Sequence, residues 1–455
     1  MAGRTPATQT KTRDTSGHSF RECLAHRSQR ALLMLARARL SRQGQNTQEY
    51  ARGSEMVTKH PHGLEMRHQE LAMLSVLTDV ARNPYTVPHL RESQISVGAD
   101  SISGIYCQRE AGGLRGSWFG RWAVKVLLSD LRQDVLRILS WYGYPGAEAD
   151  AIADVLLYAQ IRGSNQGVVK LTGKGMPRNL QAGEIEVVRE TPVSTLVDGH
   201  GNAGIVVMNW ATERCLAKAQ SAGIGLVGTF NTCTSTGAIG YYATKLALGG
   251  YLGFAFSGSP PTVCPYGSYE PIFGTNPISV GIPTTAEPLV LDMATAAITW
   301  FGLIEAHMAG RQIVPGAAYD AIGCPTTDPE AAMHGAIRTF DRGHKSSGLS
   351  MIVEILTGPL VSASCGRPGE AAGNLGNLVA ALDPGLLADT GRFRAETSQL
   401  IGRIRQARPL PPATEVLVPG EREERIADES LRAGTIEIDE HLYTELKRIA
   451  VLNKE

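Results

Sequence analysis

Apolar positions change period along this chain, and the changes mark its elements. From Val124 the stretch VKVLLSDLRQDVLRILSWYG repeats apolar residues three and four apart, through Leu127, Leu131, Val135, Ile138 and Leu139. That spacing lines one helical face and predicts an amphipathic helix, stopped by the turn Gly143-Tyr144-Pro145-Gly146. Ala147–Gln160 (AEADAIADVLLYAQ) predicts a second helix ending near Arg162-Gly163. In the centre the period shortens. Gly223–Phe230 and Leu252–Ser257 are short runs rich in Val, Ile, Leu and Phe, and Pro277–Pro283 and Pro288–Met293 flank the polar turn Thr284–Glu287. All four read as strands. Helices are expected over Gly237–Leu248, Thr295–Ala309, Ser347–Thr357 and Asp439–Val451. Strands and helices mixed in this way predict an α/β (α+β) fold.

Residues 1–118 have a different texture. They hold scattered Gln, Ser, Thr and Arg, with apolar runs only at Ala31–Leu40 and Leu71–Val80, and read as a weakly ordered extension with two short helices. Sixteen of the 44 basic residues lie here against ten of the 44 acidic ones, so this part carries +6 and the remainder −6. The excess is too thinly spread for a nucleic-acid footprint. The basic segment Ser28–Leu40 has an organelle-targeting reading beside the plainer one of a nonspecific extension. His60, His62 and His68 fit no metal-ligand spacing, and no metal site is expected. Seven widely spaced cysteines without a CxxC pair argue against a disulfide framework and for a reducing compartment, the cytoplasm. No stretch reaches the length of a transmembrane helix.

Neither GxGxxG after a strand nor GxxxxGK[ST] occurs, so a Rossmann crossover or P-loop has no support. A series of other segments carries the chemistry: RGSNQGVVK from Arg162, VDGHGNAG from Val197, NTCTSTGAIGYY from Asn231, SGSPP from Ser257, GTNP from Gly274, LDMAT from Leu291, TTDP from Thr326, GHKSSGLSMIVE from Gly343 and VPGER from Val418. In this order they resemble the malate/L-lactate dehydrogenase family. The resemblance implies a non-Rossmann NAD(P)-binding mixed-sheet domain with a helical domain, usually in a homodimer. It also implies hydride transfer between NAD or NADP and a small 2-hydroxy/2-oxo acid or cyclic imino acid. On this basis residues 119–195 with 400–455 form a helical substrate-side domain and 196–399 the central cofactor-binding sheet.

Such a reaction needs a proton donor, a cation for the substrate carboxylate and a surface for the dinucleotide. The family's first signature, Ser-His-Gly with an arginine four positions after the histidine, here reads Asn165-Gln166-Gly167-Val168-Val169-Lys170. Lys170 thus takes the carboxylate-binding position, as a point charge rather than a fork. Gln166 takes the histidine position but cannot exchange a proton near neutral pH. The second signature, Asn-Ser/Thr-x-His, becomes Asn231-Thr232-Cys233-Thr234-Ser235-Thr236, with no imidazole. Cys233 is expected at a helix N-terminus with a lowered thiol pKa, and Thr234, Ser235 and Thr236 as helix caps that also touch substrate or phosphate. His200, in the turn Asp198-Gly199-His200-Gly201, is the attractive replacement base, and His344 a further one. Catalytic candidates are therefore His200, Cys233 and Gln166, with Lys170, Asn165 and Thr234 binding substrate. The resemblance places the cofactor at Ser257, Ser259, Asp292, Met293, Ala294, Thr295, Lys345, Pro419, Gly420 and Glu421, with Asn374–Asn377 a further turn. Asp292 also reads as a cap for the Thr295–Ala309 helix. The altered signatures leave a second reading, a catalytically silent dimer that binds a cofactor or metabolite.

Overall fold

The computed structural model describes residues 123–173, 175–365 and 374–451. The expected extension 1–118, with its basic segment and histidines, lies outside them.

A seven-stranded mixed sheet organises the fold. Its strands are β2 (Glu186–Glu190), β3 (Ser194–Asp198), β4 (Ile224–Thr232), β5 (Leu252–Ser257), β6 (Ile278–Ile282), β7 (Leu289–Met293) and β11 (Leu375–Leu382). They lie in the order β2-β3-β4-β11-β5-β6-β7. Only β3 and β4 run parallel. The helix between them, α3 (Gly204–Ala222), makes that crossover and closes at Gly223 in a left-handed cap (φ 76°). The sheet includes Glu186–Glu190, upstream of the residue-196 boundary expected from the sequence.

The helical layer holds α1 (Leu128–Trp141) and α2 (Gly146–Ile161). The helix expected to run from Val124 begins only at Leu128. Ala123–Leu127 is instead strand β1, paired antiparallel with β12 (Thr435–Asp439). A run with apolar residues at Val124 and Val126 satisfies a period of two as well as the helical one, and the distant partner strand decides. Helix α10 (Glu440–Val451) then packs on α1. Leu131, Val135, Ile138 and Leu139 enter one core with Ile152, Leu156, Ile205, Met208, Tyr242 and Leu246.

Between β2–β7 and α10 the remaining elements are α4 (Gly240–Leu248), α5 (Trp300–Met308), α6 (Pro329–Met333), α7 (His344–Thr357), α8 (Thr390–Arg405) and α9 (Glu421–Ala433). A small sheet β10-β8-β9 joins Ala336–Ile337, Ala318–Tyr319 and Pro325–Thr326. It shares a second core with α5 and α6 through Leu303, Ala306, Ala318, Ala332 and Ile337. Two helix starts fall later than expected: α4 at Gly240 and α5 at Trp300, where the Thr299 hydroxyl accepts the Gly302 N–H. The cofactor turn expected at Asn374–Asn377 is mostly strand: Leu375 onward belongs to β11, with a register irregularity between Leu375 and Asn377.

Candidate functional site

The sequence-predicted residues gather in three groups. The first surrounds Lys170, on a single 3-10 turn, Val168–Leu171, that follows α2. The side-chain oxygen of Gln160 reaches forward to accept the Val168 N–H at 3.0 Å and fixes this turn. Lys170 is 2% exposed. Its Nζ has no hydrogen-bond partner and lies 3.5 Å from the centroid of the Phe301 ring in α5. A desolvated cation over an aromatic face gains about 2 kcal/mol. Burying an unpaired ion costs several kcal/mol, so burial wins. It pushes the amine well below the ordinary lysine range. Beside it, Asn165 Oδ1 accepts from Gln166 Nε2 at 3.1 Å and from the Thr299 hydroxyl at 3.2 Å. Gln166 therefore orders the loop through Asn165.

The second group joins the glycine turn after β3 to the loop after β4. His200 Nε2 lies 3.0 Å from Glu186 Oε2 and 3.8 Å from Asp198 Oδ2. Asp198 Oδ1 accepts the His200 N–H at 2.7 Å and Asn231 Nδ2 at 2.9 Å. The Cys233 thiol donates to the Gly201 carbonyl at 3.0 Å, and the Cys233 N–H donates to the Asn202 carbonyl at 2.9 Å. Non-glycine residues with positive φ include His200 (45°), Asn231 (52°), Thr234 (59°) and Asn276 (42°). Such conformations cost about 1–3 kcal/mol each when surrounding structure imposes them. Strain thus concentrates on these loops.

Cys233 departs from expectation. It is not at a helix N-terminus, because α4 begins only at Gly240. Burial pushes its thiol up rather than down. The hydroxyls that follow do not cap α4 either. Ser235 accepts the Gly237 N–H, Thr236 meets Ser257 Oγ at 3.1 Å, and Thr234 Oγ1 is buried without a partner. The cap comes from the sheet, where Asp292 Oδ2 accepts the Gly240 N–H at 2.8 Å. Asp292 therefore caps α4, not the helix after Thr295. It keeps an exposed edge, yet desolvation by surrounding protein pushes its carboxyl up to about 6.

The third group follows the end of β5. Ser259 Oγ accepts the Thr275 N–H at 2.9 Å and stays half-buried. Thr295 is fully buried, its hydroxyl shared between the Thr275 carbonyl and Ser350 Oγ. Glu354 takes Asn276 Nδ2 at 2.6 Å, and burial pushes its carboxyl up. Met293, which ends β7, and Ala294 are half-buried. Lys345 is exposed in the first turn of α7 and makes no hydrogen bond or ion pair among the described residues, while His344 meets the Tyr266 ring edge-on. At the start of α9, Glu421 is partly desolvated, but the Val418 N–H, Arg425 and Arg405 overcome that and hold its carboxyl low. Glu421 is thus committed to the protein, and its neighbours Pro419 and Gly420 present backbone. Of the expected cofactor residues, Lys345 fits a dinucleotide phosphate best, as an exposed cation without a partner among the described residues, while the Ser259 hydroxyl is shared with the Thr275 N–H and hydroxyl. Thr295 and Glu421 are already satisfied internally.

No hydrogen bond or ion pair among the described residues joins His200 to Lys170. Phe301, Glu186 and Tyr144 join these groups without a motif to mark them in the sequence. The Tyr144 hydroxyl is buried without a partner, and the Cys233 thiol is among the groups that shift it upward after burial itself. Only the turn signal around Tyr144 pointed there. Cys215, Cys233 and Cys264 are free thiols.

A mixed sheet with a single β-α-β crossover, flanked by a helical layer that presents a buried lysine, defines an α/β protein. Residues 126–447 match the malate/L-lactate dehydrogenase family, and the chain belongs to it. It is 35% identical to the L-sulfolactate dehydrogenase of Methanothermobacter thermautotrophicus over 70% of this chain and 93% of that one. It is 29% identical to the ureidoglycolate dehydrogenase (NAD(+)) of Escherichia coli K12, over 72% and 97%. Among solved structures, the malate dehydrogenase of Pyrococcus horikoshii superposes with a TM-score of 0.65 at 28% identity, covering 74% of this chain and 97% of that one.

Proposed function

We propose that this protein is an NAD(P)-dependent dehydrogenase or reductase of small 2-hydroxy, 2-oxo or cyclic imino acids, with Lys170 receiving the substrate carboxylate. The observation that carries this reading is the Lys170 amine, enclosed by protein and left without a hydrogen-bond or ion-pair partner among the described residues. A buried cation centre without a counter-ion is stabilised by an arriving anion and by little else. NAD or NADP, when bound, accepts or supplies the hydride. Ser259, Lys345 and the Gly420 N–H would hold its phosphates, with Pro419, Ser257 and the Asp292–Thr295 run shaping the wall beside them.

The chain's own residues then divide the work. Lys170 holds the carboxylate, and Asn165, pinned by Thr299, fixes the loop that carries it. Thr234 offers substrate an unpartnered hydroxyl. His200 is the preferred proton carrier because its ring can exchange a proton through either nitrogen and Glu186 orients it. Cys233, half-buried and with its thiol pushed up by desolvation, is demoted to packing. Residues 119–195 with 400–455 serve as the substrate side and 196–399 as the cofactor side of a cytoplasmic homodimer. No helix of the described residues is long and apolar enough to cross a membrane.

Fluorescence titration with NADH and NADPH, then turnover assays with malate, sulfolactate, ureidoglycolate and a cyclic imino acid, test the proposal. Turnover of one or more, with KM raised in Lys170→Met, supports it. Cofactor binding with no turnover across the panel indicates the silent, metabolite-binding alternative, and an unchanged KM in Lys170→Met removes Lys170 from the site.

A further inference from the structure

Lysine at position 170 does more than replace one cation by another. Arginine stays charged in any protein environment, whereas a lysine amine gives up its proton when enclosed. The enclosure here is complete among the described residues. Lys170 Nζ has no acceptor within hydrogen-bond distance, and only the face of Phe301 lies against it. The surrounding charges are committed elsewhere. On α1, Asp134 pairs with Arg137 and Lys447, and Asp130 sits on the exposed side. Arg132 is held by Asp150 and Asp154 of α2. Also on α2, Glu148 pairs with Arg178, Arg162 pairs with Glu424, and Tyr158 bonds Thr244. The Tyr142 hydroxyl donates to the Leu171 carbonyl. On α5, Glu305 pairs with Arg311, and His307 lies in the exposed last turn. Desolvation therefore dominates at the Lys170 amine, opposed by the Phe301 face alone among the described residues.

Resting on the assignment of Lys170 to the substrate carboxylate, we propose that Lys170 stands as a neutral amine in the empty site and takes a proton from solvent as the carboxylate arrives. Substrate binding is then the uptake of an anion together with a proton, which leaves the buried pair electrically balanced. Affinity for the anionic substrate falls as pH rises through a range where an ordinary lysine remains charged. A relative with arginine at this position has no such loss. The device also selects: a neutral analogue, such as the amide of the same acid, brings no charge to stabilise the ammonium and gains nothing from the site.

The amine can be observed directly. In the full chain labelled with [ε-13C]lysine, the resonance missing from both Lys170→Arg and Lys170→Met should titrate well below the other lysines. Adding NADH with oxamate, malate or sulfolactate should move that midpoint upward. Calorimetry of the ligand that binds, run at pH 8 in phosphate and in Tris, should show close to one proton taken up, and none in Lys170→Arg. A Lys170 resonance that titrates with the rest overturns the proposal even if Lys170→Met shows that the residue binds substrate. So does a low midpoint that none of the three acids moves, or equal proton uptake in Lys170→Arg. Loss of the carboxylate assignment itself would appear separately, as an unchanged KM in Lys170→Met.

Discussion

Arg162 and Glu424 meet in a fork. Nη2 lies 2.8 and 2.9 Å from the two carboxylate oxygens, and Nε lies 3.1 Å from the first of them. The pair ties the end of α2 to the first turn of α9, and the guanidinium also lies 3.6 Å from the Tyr158 ring centroid. Because α2 runs directly into the Lys170 loop, this tie holds the substrate side in place from behind.

Arg162→Ala should lower stability by about 1–3 kcal/mol, less than a fully buried pair would lose because the Glu424 side chain is 40% exposed. Arg162→Lys should recover under half of that, since an ammonium cannot make the two parallel bonds. Urea denaturation midpoints measure both. A lysine variant as stable as the parent would show that charge alone holds the tie.

Lys170→Met should stabilise the empty protein by about 1–3 kcal/mol while impairing turnover, because it replaces a buried amine by an apolar side chain of similar length. The pH dependence has a definite sign. The unfolded chain keeps the lysine proton up to the ordinary value of 10.5, and the folded chain releases it lower. Unfolding takes up a proton between those values, so this residue makes stability rise with pH there. Thermal melts from pH 6 to 10 should show that slope in the parent and its loss in Lys170→Met.

His200→Ala should lower kcat by about 10²–10⁴-fold, whereas Cys233→Ala should change it by less than about threefold. The pH–rate profile of the parent should show a limb that vanishes in the His200 variant. A flat parental profile would exclude His200 as the proton carrier. Burial raises the Cys233 thiol, so iodoacetamide at pH 7 should label it slowly in the folded protein.

Gly420→Ala should destabilise by about 2 kcal/mol or more. The residue sits at φ 78°, and a Cβ there would come within 2.5 Å of the Val290 carbonyl oxygen. Differential scanning calorimetry would read this as a lower Tm. An unchanged Tm would mean that α9 docks without this close approach to β7.

Some of this was legible in the sequence because local rules suffice. Strand β5 has its expected bounds, and α2 is displaced by one residue at each end. Helix α3 went unread for a physical reason: the sheet, α2 and α4 cover its first half, so Ile205, Val207, Met208 and Ala211 run on without an exposed polar position, and a polar stripe begins only at Glu213 and Arg214. Lys170 was visible as a residue in a motif, but its isolation was not. That depends on Phe301, brought from the other side of the fold. The Cys233 environment failed to follow from sequence for the same kind of reason, since helix onset at Gly240 is set by Asp292 on a distant strand.

The ladder between β1 and β12 pairs Val124 with Ile438 and Val126 with Ile436. The substrate-side layer is therefore stitched from the earliest and latest described stretches of the chain, with the whole cofactor-side sheet between them. During synthesis that sheet can pair its strands while β1 still waits for an edge to join. The lysine pocket would acquire its full backing only when the final strand and α10 emerge, making the cofactor side a template on which the substrate side is finished last.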